Sequence, residues 1–362
     1  MRVRLQENHE YNLSANCPSA KNFKSVDGEA AVIYPIKFRT GSGRGRREGA
    51  ASEKNANEEA VEELRRAIEE NYSYQEIRRV DWDKLFSEKS GALQRAKTAE
   101  EFATKAGELL AAAKDKHIRL MVGEETFSSH VRPVKPNANF AKLKDFIPNF
   151  QKRSSVVHTG RFKDGIGYLL IDSWGKNYTK ELEEAYAAIW DFSEAPGLII
   201  DVRGNGGGSE TLARWFAGCF IDEPKVYAQH VYRAAEEVSG FSEPSNRVIK
   251  PNKTRPKYRG KVVVLTGPVV MSSCEAFLLM MKQVPGCKLV GATSQGSSGN
   301  PKPYELGNDV TVYLPSWKAM RPDGSCFEGE GIEPDIAVET TDEELLRRDA
   351  VVEAALEFLR KG

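Results

Sequence analysis

The chain has 362 residues, 40% hydrophobic and 29% charged, a composition of soluble globular proteins at a length suited to two or three sub-domains. Lys plus Arg and Asp plus Glu each number 52, so a formal charge of zero argues against nucleic acid or an anionic membrane as partner. No apolar run approaches the ~20 residues that span a bilayer, and five scattered cysteines (17, 219, 274, 287, 326) form no CxxC pair, which supports neither a zinc site nor a disulfide framework.

The opening, MRVRLQENHEYN, has basic residues with no apolar stretch behind them, so no secretory signal is expected in the chain as written. Residues 1–55 read as a poorly defined segment ending in the linker-like run TGSGRGRREGAASEKN (40–55), with AAVIYPIKF (30–38) as a lone strand. Residues 56–116 read as a small α-helical domain. Val61, Leu64, Ile68 and Tyr72 recur at helical spacing, and Thr98 with Glu101 fits a capping box. Residues 117–164 read as a connecting segment with a strand at HIRLMV (117–122).

From 165 to 340 strands and helices alternate: GIGYLLI, a helix over 178–192, GLIIDV, a helix over 209–219, then KVYAQHVYR, KVVVLTG, a helix after Ser272, and KLVGAT. That order predicts an α/β core with largely parallel pairing. Short strands follow over 301–338, and 341–362 reads as one amphipathic helix capped by Thr341.

Three features carry chemistry. In GPVVMSSCEAFLLMM (267–281) a strand hands over to a helix at Ser272. A serine there sits near helix N–H groups that favour an oxyanion, as a nucleophile attacking a carbonyl requires. Taken alone, Ser272 or Ser273 reads as an ordinary helix cap. In LIIDVRGNGGGSE (198–210) three consecutive glycines follow a strand, where backbone N–H groups can face outward as an anion-binding nest. No Walker lysine follows, and the dinucleotide glycine spacing fails at its third glycine. Among His9, His117, His130, His158 and His230, His117 stands at an element junction, His158 precedes a Thr-Gly turn, and His230 sits in a strand-like run.

In order along the chain, KDKH (114–117), GIGYLLIDSW, DVRGNGGG, SSCE (272–275) and DGSCFEGEGIEPDI (323–336) resemble the motifs of the tail-specific (carboxy-terminal processing) and tricorn-type serine peptidases. The resemblance covers about 56–338, with Lys116 in place of the family's glycine before the histidine. It implies an α/β (α+β) fold: an N-terminal helical bundle plus a crotonase-like core. One branch of that family takes its base from a lysine about 25 residues after the nucleophile, and that position is Ser297 here. The resemblance therefore implies the tricorn-like relay: Ser272 as nucleophile, His117 as base, Glu328 orienting it, with Glu330 as Glu328's rival. The N–H groups of Ser273 and of Gly206 or Gly207 would form the oxyanion hole. Glu275 reads as a helix N-terminal charge and Cys274 as a small buried apolar residue.

Only about 45 residues separate HIRLMV from GIGYLLI, so no PDZ insertion is expected. Substrate capture would then fall to the α-domain or to strand addition at a sheet edge. The expected partner is a protein or peptide substrate, with no cofactor and no metal, and with homo-oligomerisation open. The missing signal favours the cytoplasm, while the resemblance allows export. Two rival readings are a catalytically silent peptide or hydrophobic-ligand binder and a crotonase-like thioester hydrolase or isomerase.

Overall fold

A computed structural model of the protein describes residues 6, 9–13, 24, 36–39, 55–233 and 240–361. The chain divides into two units, residues 1–53 and 54–362. In the first, β1 (Glu10–Leu13) pairs antiparallel with β2 (Ile36–Arg39), so the strand expected at 30–38 begins later and has a partner. Residues 30–35, the linker run 40–54 and Cys17 lie outside the described residues.

The second unit opens with α1 (Ala56–Asn71), α2 (Gln75–Arg78), α3 (Trp82–Gln94) and α4 (Ala99–Leu110). Their starts are set by side-chain caps: Asn55 accepts from the Asn57 N–H, Asp81 from Lys84 and Thr98 from Glu101. The apolar stripes of α1, α3 and α4 meet in one cluster but do not complete it by themselves. They share a core with Leu120, Val310, Val312 and Leu314 of a second layer. That layer is an antiparallel sheet in the order β13 (Pro301–Glu305), β14 (Val310–Pro315), β3 (Arg119–Val122), β4 (Glu125–Ser128). The helical segment is thus roofed by strands almost 200 residues further along the chain as well as by its immediate successor.

After α5 (Leu143–Phe146), β5 (Gln151–Lys152), β6 (Val157–Arg161) and β7 (Gly167–Ile171) start the central sheet. It continues through α6 (Glu183–Asp191), β8 (Gly197–Asp201), α7 (Glu210–Ala217) and, past the separate strands β9 (Lys225–Tyr232) and β10 (Ser245–Ile249), β11 (Lys261–Thr266). Then come α8 (Ser273–Met281), β12 (Lys288–Gly291), β15 (Trp317–Met320), which pairs with β9, and β16 (Ile336–Ala337). The spatial order is β16-β12-β11-β8-β7-β6-β5, parallel from β16 to β7 and antiparallel beyond. The runs Leu198-Ile199-Ile200 and Val262-Val263-Val264-Leu265 are apolar without alternation because both sheet faces are covered. Helices α6, α7 and α8 pack on one face; α5 and the C-terminal helix pack on the other.

Two expectations are corrected. His158-Thr159-Gly160 is strand β6, not a turn; Gly160 is there because a Cβ would stand 2.4 Å from Ile147 Cγ2. The expected single C-terminal helix is two, α9 (Asp342–Arg347) and α10 (Ala350–Lys361). The break falls at Arg348, which is fully extended, and Asp349, whose carboxylate is drawn inward to cap the Val352 N–H and to meet the guanidinium of buried Arg203 at 2.8 and 2.9 Å.

Candidate active site

Strands β8 and β11 are parallel neighbours with Asp201 opposite Leu265, so the loops leaving their C-terminal ends meet. One carries the glycines, the other Ser272. Ser272 has φ 57° and ψ −129°, a backbone conformation an L-residue adopts only under strain of roughly 1–3 kcal/mol. It occupies the N-cap of α8. Its N–H is shared between the Ser297 carbonyl (2.8 Å) and the Glu275 carboxylate (3.0 Å). Ser273, the alternative cap, is already inside the first turn, and its buried hydroxyl has no partner.

Gly207 (φ 104°) lies against this elbow. A Cβ on it would stand 2.9 Å from the Met271 carbonyl oxygen, 3.0 Å from Ser272 Cβ and 3.2 Å from the Ser273 nitrogen. Only a glycine allows this approach. Its N–H is held by Asn205 Oδ1 at 2.8 Å, so of the two glycines named from the sequence it is not the one with a free donor. Among the described residues the N–H groups of Gly206 and Ser273 have no acceptor, and Gly206 faces open space.

His117 is buried at the turn into β3. Its Nδ1 is 3.0 Å from Ser297 Oγ, and its main-chain N–H donates to Asp115 Oδ1 at 2.9 Å. Burial pushes the imidazole below its ordinary value; the Asp115 charge opposes that, and Arg119, Lys116 and Arg78 add to it. Asp115 is held in turn by the Tyr72 hydroxyl at 2.9 Å.

Glu328 is 5% exposed and its carboxylate pairs with Arg78 of α2 while accepting the Ser298 N–H at 2.8 Å. Burial and then the Asp115 charge push it up; Arg78 and the Ser298 N–H oppose. The ring of His117 therefore meets Ser297, and Glu328 holds the next residue of the same segment. Glu330 is a surface group, its side chain 69% exposed beside Arg321. His230 lies buried in β9, where burial lowers it to about 4.

Glu275 is more than a helix charge. It is fully buried and accepts from Ser272 N–H, Ser294 Oγ (2.6 Å), Gly296 N–H (2.7 Å) and Ser297 N–H (3.1 Å). Burial raises it to about 7 against these donors. Sequence reasoning missed this role, although Ser-x-x-Glu before an apolar run is a capping-box pattern. It also missed Ser297, Asp115 and Arg78. Asp115 could have been found in KDKH; Arg78 carries no signal, being 250 residues from its partner.

Residues 165–338 match the model of peptidase family S41. The match takes in just under half of the chain, and two proteases are similar to the chain over much the same stretch. The chain is 26% identical over 208 residues to the carboxy-terminal processing protease CtpA of Bacillus subtilis, covering 57% of this chain and 41% of that protein. It is 28% identical over 207 residues to the tricorn protease of Thermoplasma acidophilum, 55% of this chain and 18% of that one. The matches thus span less than half the length of these relatives. A solved candidate peptidase from Parabacteroides merdae superposes with a TM-score of 0.72 at 26% identity, over 84% of this chain and 96% of its own.

Proposed function

We propose that the protein is a serine endopeptidase of the carboxy-terminal processing type. Ser272 Oγ attacks the scissile carbonyl, and His117 accepts its proton. The N–H groups of Gly206 and Ser273 receive the oxyanion, and His117 then passes the proton to the leaving amine. Water hydrolyses the acyl-enzyme through the same base. Gly207 serves by close approach, bringing the glycine loop against the elbow. Glu328 acts indirectly, holding the Ser297-Ser298 segment that faces the imidazole. No helix among the described residues is long and apolar enough to cross a membrane.

The observation that supports this best is the strained Ser272 elbow packed on Gly207, with two unengaged N–H donors beside it. A cap alone needs no positive φ. The test compares wild type with Ser272→Ala and His117→Ala on an unfolded protein such as casein, with a fluorophosphonate probe in parallel. Cleavage and labelling by wild type alone support the assignment. Equal cleavage by wild type and Ser272→Ala removes it.

A further inference from the structure

Ser297 touches three members of the candidate site. Its carbonyl accepts the Ser272 N–H, its N–H donates to Glu275, and its hydroxyl lies 3.0 Å from His117 Nδ1. The first two contacts are main-chain and would be made by any residue. The third depends on the side chain.

We propose that Ser297 is a positioning residue whose hydroxyl accepts the His117 Nδ1–H and so fixes the tautomer that leaves Nε2 free as the base. This rests on the peptidase reading above. A neutral imidazole has one N–H and one lone pair. If the proton sat on Nε2, the ring could not take a proton there from Ser272. The Ser297 hydroxyl is the hydrogen-bond partner of Nδ1 among the described residues, and Glu328 makes its own bonds to Arg78 and the Ser298 N–H. The usual acceptor at Nδ1 in serine hydrolases is a carboxylate. A hydroxyl orients the ring with no charge of its own, leaving the imidazolium to be stabilised by Asp115 across the turn, against Lys116 of the same turn, Arg119 of β3 and Arg78 of α2.

The test is Ser297→Ala beside Ser297→Thr, which keeps the hydroxyl. Both retain the main-chain contacts, so both are expected to fold. Two readouts are taken: the pH profile of kcat/KM on a peptide cleaved by wild type, and the ring-nitrogen NMR signals of His117. For Ser297→Ala we expect kcat/KM to fall about tenfold, as for loss of one hydrogen bond. Its acid limb should move to lower pH, because the imidazolium loses an acceptor. Its ring signals should show the Nδ1–H form depleted, and Ser297→Thr should restore all three. An unchanged profile and tautomer in Ser297→Ala overturn the proposal while Ser272→Ala remains inactive and the peptidase reading stands. If Ser272→Ala cleaves like wild type, that reading fails, and the His117 signals still decide whether Ser297 sets the tautomer.

Discussion

Gly206 and Gly207 are adjacent, yet the structure assigns them opposite tolerances. A methyl group at Gly206 enters open space, and the backbone there does not have a positive φ. A methyl group at Gly207 meets a carbonyl oxygen at 2.9 Å and Ser272 Cβ at 3.0 Å, on a backbone at φ 104°. A left-handed conformation costs a Cβ-bearing residue roughly 1–2 kcal/mol. The lower entropy of the unfolded chain returns about 0.4–1 kcal/mol, and the contacts require the elbow to yield. We expect Gly207→Ala to lose about 1–3 kcal/mol, a fall in Tm of several degrees. Displacement of Ser272 should lower kcat by up to about 100-fold. Gly206→Ala meets no protein atom and should stay within about 0.5 kcal/mol of wild type in stability. Thermal melts and single-turnover acylation on the two variants settle the matter. Equal losses, or a fully active Gly207→Ala, would refute the close-approach argument.

Ser272→Gly should be more stable than Ser272→Ala by about 1 kcal/mol, since glycine relieves the positive φ and alanine does not, while neither cleaves; paired denaturant titrations read the difference. The acid limb of kcat/KM should lie below the ordinary histidine value of 6.5, because burial lowers His117 and the neutral, active form then persists to lower pH. Asp115→Asn removes the charge that opposes this and should move the limb lower still, which a pH–rate profile measures directly. Asp349→Ala leaves Arg203 with one carboxylate instead of two and uncaps α10, so urea unfolding should show a loss of about 3–5 kcal/mol; a loss under 1 kcal/mol would show the pair to be dispensable.

Much of this site could be read from local pattern. The Ser272 turn, the glycine loop and the alternation of strands and helices are encoded within short windows, because each is a strand end followed by a helix start. Glu328 was separable from Glu330 only in three dimensions, where one points into the protein and the other out. The helix break at Asp349 was hidden because the residues around it keep a helical apolar period; a buried arginine 146 residues away decides it. Thr159-Gly160 looks like a turn until the Ile147 side chain that demands glycine is in view. Ser297 escaped for a related reason. By sequence its position stands out only for the lysine it lacks, and the hydroxyl's partner lies 180 residues upstream.

The ion pair between Arg78 and Glu328 joins residues 250 positions apart. On the proposed reading this ties competence to completeness. A chain made only as far as Ser272 holds the nucleophile and the imidazole, but neither the Ser297-Ser298 segment that lies against them nor the carboxylate that secures it. On the proposed reading such a fragment is a poor scissors, and its edge forms only once residue 328 is in place.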